Sequence, residues 1–258
     1  MSAILYEQIE AVAKITLNRP EVYNSFNRPM ALELQEVLRK CEKDDSIRAI
    51  YLTGNGKAFC AGQDLQEVVD PNGPDLTTIL REHYNPIVLQ IRSIEKPIVC
   101  AVNGVAAGAG ANIALACDIT IANEHASFIQ AFSKIGLIPD SGGTFFLPRL
   151  IGMQKAVALS MLGEKVSAED AEKMGMIYKV ASAETFEEES WKIVATLSKM
   201  PTKGLGYTKR AFNLSLTKSL EEQLQVEDEL QTASGETYDY KEGVQAFLEK
   251  RKPEFKGR

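Results

Sequence analysis

The sequence predicts an α/β protein, because a buried strand, a glycine-rich turn, a helix and another strand follow one another in that order more than once. Residues 97–102 form a continuous apolar strand, which a Gly/Ala-rich turn, a helix at about 109–116 and a strand at 118–122 follow. No strand pattern is visible beyond the first 200 residues, where amphipathic helices take over. We therefore predict a core over residues 1–200 and a helical region over residues 201–258.

The earlier elements follow from local pattern. Two short strands lie within residues 4–17 and end where N-R-P at 18–20 breaks the alternation. Pro29 opens a helix, because apolar side chains after it recur at spacings of mostly three and four residues. A buried strand at 47–53 ends at the turn G-N-G, and a helix is predicted around 79–94.

The C-terminal region contains two predicted amphipathic helices, at about 220–230 and 240–251. In the second helix Val244, Phe247 and Leu248 form an apolar stripe. Such a stripe must be buried either on the chain's own core or on another subunit. The second arrangement would imply an oligomer.

Composition and charge exclude several classes of protein. The chain has 258 residues, of which 45% are hydrophobic and 25% charged, and its formal net charge is −6. These proportions are typical of a globular protein, and they give no support to a general nucleic-acid binder, which needs a basic surface. No secretory signal and no apolar run of about 18 residues is visible, so we expect a cytoplasmic protein that does not enter a membrane. With two histidines and four cysteines that lack C-x-x-C spacing, we expect buried thiols and no metal site.

The first candidate motif is F-C-A-G-Q-D-L at 59–65, directly after a strand and a glycine turn. Its small residues would let a ligand approach the backbone and reach free N–H groups. An ordinary strand-to-loop turn explains the same residues equally well.

The second motif is N-G-V-A-A-G-A-G-A-N at 103–112, where a buried strand enters a helix. A dinucleotide-binding turn is disfavoured, because Ile113 stands where the third glycine of G-x-G-x-x-G is needed. An oxyanion-binding turn at the positive end of the helix dipole suits the composition better.

The third motif is I-G-L-I-P-D-S-G-G-T at 135–144, which places Asp140 among apolar residues and glycines. Asp140 could cap the following helix by accepting hydrogen bonds from its first N–H groups. Alternatively, an apolar pocket would raise the pKa of its carboxyl group and make it a proton carrier near neutral pH.

Taken together, these segments resemble the enoyl-CoA hydratase/isomerase family, also called the crotonase superfamily. The resemblance covers nearly the whole chain. The matching segments are I-T-L-N-R-P at 15–20 with Asn24, the motif at 59–65, K-P-I at 96–98, N-G and the glycine turn at 103–110, Pro139 with G-G-T at 142–144, L-G at 162–163 and E-G-V-Q-A-F-L-E-K-R-K at 242–252.

The resemblance implies an α/β fold: a crotonase-like spiral of ββα repeats followed by a C-terminal helical region that trimerises, giving a homotrimer or a dimer of trimers. It implies an acyl-CoA thioester as substrate and no separate cofactor, because CoA is part of the substrate. The main-chain N–H groups of Gln63 and Ala109 are implied to form an oxyanion hole for the thioester carbonyl.

The resemblance also implies which residues contact CoA. Ala61, Asp64 and Leu65 match positions beside the adenine and pantetheine groups. Phe247 and Lys250 match positions at which the tail of a neighbouring subunit closes over CoA, and a lysine suits a phosphate group as a point charge.

Departures from the family pattern bear on the reaction. Hydratases of this family use two glutamates, and the matching positions here are Asn112 and Phe132, neither of which can move a proton. Asp140 remains, at a position where hydratases carry glycine. One carboxylate suffices for a proton shift, so the resemblance implies an acyl-CoA isomerase, similar to those that act on a ring epoxide of an arylacetyl-CoA thioester.

Two rival functions remain open at this point. Within the enzymes, the alternative is an enoyl-CoA hydratase or a Δ3-Δ2-enoyl-CoA isomerase of fatty-acid oxidation. In a different class, the chain would be a non-catalytic acyl-CoA-binding subunit, which has no need for Asp140 in an apolar turn.

Overall fold

The computed structural model describes residues 2–258, which form ten strands and twelve α-helices. The strands are β1 (Ile4–Ile9), β2 (Val12–Leu17), β3 (Ala49–Gly54), β4 (Ala58–Cys60), β5 (Ile98–Val102), β6 (Val105–Ala107), β7 (Ile119–Asn123), β8 (Ser127–Ile129), β9 (Lys165–Ser167) and β10 (Lys179–Ala181). The α-helices are α1 (Arg28–Lys43), α2 (Leu65–Val69), α3 (Leu76–Thr78), α4 (Asn85–Ser93), α5 (Ala109–Ala116), α6 (Gly143–Ile151), α7 (Met153–Leu162), α8 (Ala168–Lys173), α9 (Phe186–Leu197), α10 (Thr202–Ser215), α11 (Leu220–Gly235) and α12 (Tyr238–Glu249).

The strands form two sheets, and strands that follow one another along the chain are divided between them. The first sheet has the order β1-β2-β3-β5-β7-β10, and the second has the order β4-β6-β8-β9. In the pairs β3–β4, β5–β6 and β7–β8, the first, longer strand joins the first sheet and the next, three-residue strand joins the second. Parallel pairing of β3, β5 and β7 requires crossovers, which the intervening helices provide. The predicted ββα spiral is therefore confirmed.

Burial explains why the central strand reads as a continuous apolar run. All five residues of β5 are buried: Val99 and Ala101 pack with α9, whereas Ile98, Cys100 and Val102 belong to the core cluster that also contains residues of α1, α4 and α5. Trp191 of α9 stacks edge-on against Tyr51, with ring centroids 5.5 Å apart. All four cysteines are buried as free thiols.

Helix α1 begins as the sequence predicts. Its N-cap is Asn27, whose side-chain oxygen accepts from the N–H of Met30 over 3.1 Å, and Pro29 lies in the first turn, where no intrahelical donor is needed.

The single helix predicted around 79–94 is divided into two helical segments in the structure. Residues Ile79–Tyr84 form one π-helical stretch, and α4 continues from Asn85.

Residues 201–258 contain α10, α11 and α12, and the last residues contact the core, where Arg48 donates to the carbonyl of Phe255 over 2.8 Å. Lys209 of α10 donates to Asp118 over 2.8 Å, and Arg92 of α4 donates to the same carboxylate over 3.2 Å. Buried Asp239 accepts hydrogen bonds from the N–H groups of Lys256 and Gly257. Within residues 2–258 no helix combines the length and the apolar character that crossing a membrane requires.

Candidate active site

Three segments that are distant in sequence converge on the first turn of α5. The side chain of Asn112, in that turn, donates from Nδ2 to the main-chain carbonyl of Asp140 over 2.8 Å. From the other side the loop after β4 approaches so closely that a Cβ atom at Gly62 would lie 3.5 Å from the nitrogen of Ala109. All three sequence motifs therefore meet at one place.

Ala109 is the first residue of α5, so no carbonyl of a preceding helical turn is available to accept from its N–H. Gly108, the N-cap, has φ of +54°, a conformation that glycine adopts without steric cost. Gly110 allows the close approach of α5 to β4, because a Cβ there would overlap the carbonyl oxygen of Cys60. The N–H of Ala109 is thus presented at the positive end of a buried helix.

The second candidate donor, Gln63, lies in an isolated bridge with Phe26. In this bridge Phe26 donates to Gly62 over 2.7 Å, and Asp64 donates to Phe26 over 2.8 Å. Since successive N–H groups of an extended chain point to opposite sides, the N–H of Gln63 is directed away from Phe26.

The side chain of Gln63 is held at both ends. Its Oε1 accepts from the hydroxyl of Tyr84 over 2.8 Å, and its Nε2 donates to Glu67 over 2.8 Å. Tyr84 is fully buried, and burial raises the pKa of its phenol well above the ordinary value, so it is a donor at neutral pH. Sequence reasoning missed Tyr84 and Glu67, because neither residue belongs to a motif.

Asp140 is partly buried between the 3₁₀ helix Ala131–Ile135 and α6, and desolvation raises the pKa of its carboxyl group. Within residues 2–258, Ser141 donates the one hydrogen bond that its carboxylate accepts, over 2.8 Å. The carboxylate does not cap α6: the N-cap is Gly142, with no side-chain cap. The capping interpretation of Asp140 is therefore wrong, because the turn directs the main-chain carbonyl of Asp140, instead of its side chain, to the N–H of Gly143.

The other ionisable groups around the oxyanion turn are engaged or neutral. Burial raises the pKa of the Cys60 thiol to about 12, so it stays protonated. Asp64 forms an ion pair with Arg19 at 2.8 Å and caps α2 by accepting from Gln66. Glu67 accepts from the N–H of Arg28 as well as from Gln63. Both oxygens of Asp64 and of Glu67 are therefore engaged, whereas one oxygen of Asp140 accepts no hydrogen bond within residues 2–258.

The two positions that match the hydratase glutamates are both filled by uncharged side chains. Phe132 is buried, and its ring lies 3.7 Å from the point where a Cβ atom at Gly108 would stand. Asn112 is buried and hydrogen-bonded at both ends, to Asp140 and to Gln130.

The structure places the expected CoA contacts in two separate regions. Ala61 and Leu65 are exposed beside Asp64 at the edge of the site, and the N–H of Ala61 donates to Tyr23. Phe247 is 83% exposed on α12, and Lys250 is the left-handed C-cap of that helix. Phe247 lines an apolar cavity of about 440 Å³ between the C-terminal helices, a cavity that none of residues 61–65 lines. One chain alone therefore does not bring the two groups together.

The fold and this site define an α/β protein in which two candidate main-chain donors, the N–H groups of Gln63 and Ala109, lie in segments that converge near one partly buried carboxylate. Residues 7–258 match the family model of the enoyl-CoA hydratase/isomerase family. The chain is 48% identical over 261 residues to the 1,2-epoxyphenylacetyl-CoA isomerase of Escherichia coli strain K12, covering 100% of both chains. It is 46% identical over 255 residues to a Rhodobacter capsulatus protein named "Probable enoyl-CoA hydratase", covering 99% of this chain and 98% of that one.

Among solved structures, an enoyl-CoA hydratase from Bacillus anthracis is similar with a TM-score of 0.92 and 33% identity, over 99% of this chain and 100% of the other. The chain belongs to the enoyl-CoA hydratase/isomerase family. It has the crotonase fold, as the resemblance implied, and is an enzyme of the hydratase/isomerase type.

Proposed function

We propose that this enzyme is an acyl-CoA isomerase that moves a proton with a single carboxylate, Asp140. The observation that carries the proposal is the partly buried carboxylate of Asp140, which within residues 2–258 accepts a hydrogen bond from Ser141 alone and whose main chain is anchored to the first turn of α5. The 48% identity to a 1,2-epoxyphenylacetyl-CoA isomerase over the full length supports the same reaction type.

The N–H groups of Gln63 and Ala109 would bind the thioester oxygen. Removal of a proton from the carbon beside the thioester places negative charge on that oxygen, and donors aimed at it stabilise the resulting enolate. Each such donor is worth roughly 10²–10³ in rate. The helix dipole of α5 acts in the same direction at Ala109.

Asp140 would act first as base and then as acid. Its carboxylate takes the proton from the α-carbon, the electron pair moves into the enolate, and the protonated carboxyl group returns the proton to a carbon further along the acyl group. Desolvation raises the pKa of Asp140, so both protonation states are accessible closer to neutral pH. The sum is an isomerisation, with no atoms gained or lost.

The substrate that we propose is ring 1,2-epoxyphenylacetyl-CoA, converted to the oxepin-CoA in phenylacetate degradation. The C1–C2 bond shared by the epoxide and the six-membered ring breaks to give the seven-membered oxepin, and the two proton transfers relocate its double bonds. A double-bond shift in a didehydroadipyl-CoA uses the same two steps and is proposed as a second activity. CoA would lie along Ala61, Asp64 and Leu65, and no further cofactor is required. Phe247 and Lys250 would reach it from a neighbouring subunit in a homotrimer or a dimer of trimers, in a cytoplasmic enzyme.

The second candidate function is hydration of an enoyl-CoA, or a Δ3-Δ2 double-bond shift in one. The 46% identity to a protein named as a hydratase favours it. Hydration needs one group to activate water and another to protonate the α-carbon, and Asn112 and Phe132 stand where the family's hydratases carry glutamates. A non-catalytic acyl-CoA-binding subunit would have no use for the partly buried carboxylate of Asp140.

The test compares the native enzyme with Asp140→Asn and with the control Asp45→Asn, which changes an exposed aspartate far along the chain. Each protein is assayed for oxepin-CoA formation from enzymatically prepared epoxide and for hydration of crotonyl-CoA, and binding of a CoA thioester is measured by calorimetry. We expect oxepin formation by the native enzyme and the control, and its loss by at least about 10³-fold in Asp140→Asn with binding retained. Hydration without isomerisation, or full activity of Asp140→Asn, would refute the proposal.

A further inference from the structure

The amide of Asn112 has only one possible orientation. The main-chain carbonyl of Asp140 can only accept a hydrogen bond, so the atom of Asn112 that faces it over 2.8 Å must be the nitrogen. The other end, Oδ1, must then accept, and Nε2 of Gln130 donates to it over 2.8 Å. The two hydrogen bonds therefore run in one direction, from Gln130 to Asn112 and from Asn112 to Asp140.

This chain of hydrogen bonds is buried. Asn112 is 1% exposed and Gln130 is 4% exposed. Gly143, the first residue of α6, makes room for Asn112, because a Cβ there would overlap the Asn112 side-chain amide. In this setting Asn112 ties the turn that carries Asp140 to the helix that carries the candidate oxyanion donor Ala109.

We propose that Asn112 is a positioning residue, which sets the place of the Asp140 carboxylate relative to the N–H of Ala109. This inference rests on the proposed function of Asp140. An aspartate or glutamate at residue 112 would present an oxygen acceptor to the carbonyl of Asp140 and would repel it. A hydrogen-bond donor at residue 112 is therefore needed to hold the turn that carries the Asp140 carboxylate. A glutamate at residue 112, as the family's hydratases carry, would not make this hydrogen bond.

The position of Asp140 matters to the rate because proton transfer needs close contact with the α-carbon. A displacement of about 1 Å from the reactive geometry can cost up to about 10² in rate. The bond from Asn112 is made to the main chain of Asp140 and does not touch the thioester. Loss of the bond should therefore lower the rate of proton transfer and leave thioester binding unchanged.

The experiment uses phenylacetyl-CoA as a probe, since its α-protons exchange with D₂O when the enolate forms, whatever the natural acyl group is. Exchange is followed by NMR at saturating probe, and the dissociation constant is measured separately. Four proteins are compared: the native enzyme, Asn112→Ala, Asn112→Asp and the control Thr120→Val. Thr120 is also buried and donates to a carbonyl of α5, that of Ala114, but lies away from Asp140.

We expect the exchange rate to fall about 10- to 100-fold in Asn112→Ala and at least as far in Asn112→Asp, with the dissociation constant within about twofold of native. The rate of Thr120→Val should stay within about threefold of native. An exchange rate in Asn112→Ala equal to that of Thr120→Val would overturn the proposal, as would a loss explained entirely by weaker binding.

A second variant covers the case in which the Asn112 proteins do not fold. Gln130→Met keeps the length of the side chain but removes the donor to Asn112, and we expect a smaller loss of about three- to tenfold; no loss would overturn the proposal. Asp140→Asn separates this inference from the proposed function. If Asp140→Asn exchanges the α-protons at the native rate, the proposed function is wrong. If Asp140→Asn shows no exchange while Asn112→Ala exchanges at the native rate, only the inference about Asn112 is wrong.

Discussion

The hydroxyl of Tyr84 donates to the side-chain carbonyl of Gln63 over 2.8 Å, so a buried phenol holds the residue whose N–H is a candidate oxyanion donor. Tyr84 ends the π-helical stretch before α4, and its ring packs edge-on against Phe26 with centroids 5.9 Å apart. Phe26 itself bridges to Gln63 through the main chain. The π-helical stretch therefore holds the side chain of Gln63 through Tyr84, while the main-chain bridge to Phe26 holds its backbone.

Tyr84→Phe should weaken this support without disturbing the packing. The variant leaves Oε1 of Gln63 without its donor, so we expect a loss of about 1 kcal/mol in the free energy of unfolding. Exchange of phenylacetyl-CoA protons should fall roughly tenfold. Urea unfolding and NMR measure the two effects.

The matched control is Tyr6→Phe. The buried hydroxyl of Tyr6 has no hydrogen-bond partner within residues 2–258, so its removal should leave stability and activity nearly unchanged. Equal effects of the two substitutions would show that the bond to Gln63 contributes nothing.

Ala109→Pro should remove one oxyanion donor and keep α5. Proline is accepted at the first position of a helix, where its missing N–H has no intrahelical partner. We expect the turnover number to fall about 10²–10³-fold. Leu220→Pro makes the same change at the first position of α11 and should leave turnover unaffected. Unchanged turnover in a folded Ala109→Pro protein would exclude the Ala109 N–H as a donor.

Asp140→Asn should stabilise the protein at neutral pH. Burial raises the pKa of Asp140 above its ordinary value of 3.8. A group with a raised folded-state pKa contributes stability that is fully present below its unfolded-state pKa and is lost as pH rises through its folded-state pKa. The asparagine variant avoids that loss, so its advantage should appear as pH rises and vanish below about pH 3. Urea unfolding across pH tests this, and a variant less stable than native at neutral pH would contradict it.

Asp118→Asn should loosen the C-terminal helices from the core. Asp118 accepts from Lys209, Arg92 and the N–H of Ile98, and the Lys209 side chain is 7% exposed. Breaking a buried ion pair leaves an uncompensated charge, so we expect a loss of about 3 kcal/mol in the free energy of unfolding.

The control for Asp118 is Glu169→Gln, which breaks the exposed pair with Lys173. Exposed pairs contribute little, and this variant should stay within about 0.5 kcal/mol of native. If urea unfolding gives the same loss for both substitutions, the anchoring role of Asp118 is wrong.

The sequence predicted the bounds of an element best where a continuous run of apolar residues or a glycine turn at the start of a helix marks them. The helix predicted at about 109–116 is α5 with the same bounds, because its apolar run is bracketed by the G-A-G turn and a strand. The three-residue strands β6 and β8 were not predicted, because their pairing partners in the second sheet lie far along the chain. The π-helical residues Ile79–Tyr84 were not predicted either, since a helical apolar pattern does not distinguish the two hydrogen-bond spacings.

By itself, the sequence pattern determined the α/β class and the residue types of the three motifs, because burial and side-chain chemistry depend on the local sequence, whereas the ββα spiral was implied by the resemblance to the family. Only the tertiary structure decided which partners the main-chain carbonyl and the side-chain carboxylate of Asp140 bind. Its carbonyl accepts a hydrogen bond from Asn112, 28 residues away, while its carboxylate accepts one from Ser141. Such a division depends on the relative placement of α5 and the turn before α6, and packing of the whole spiral sets that placement.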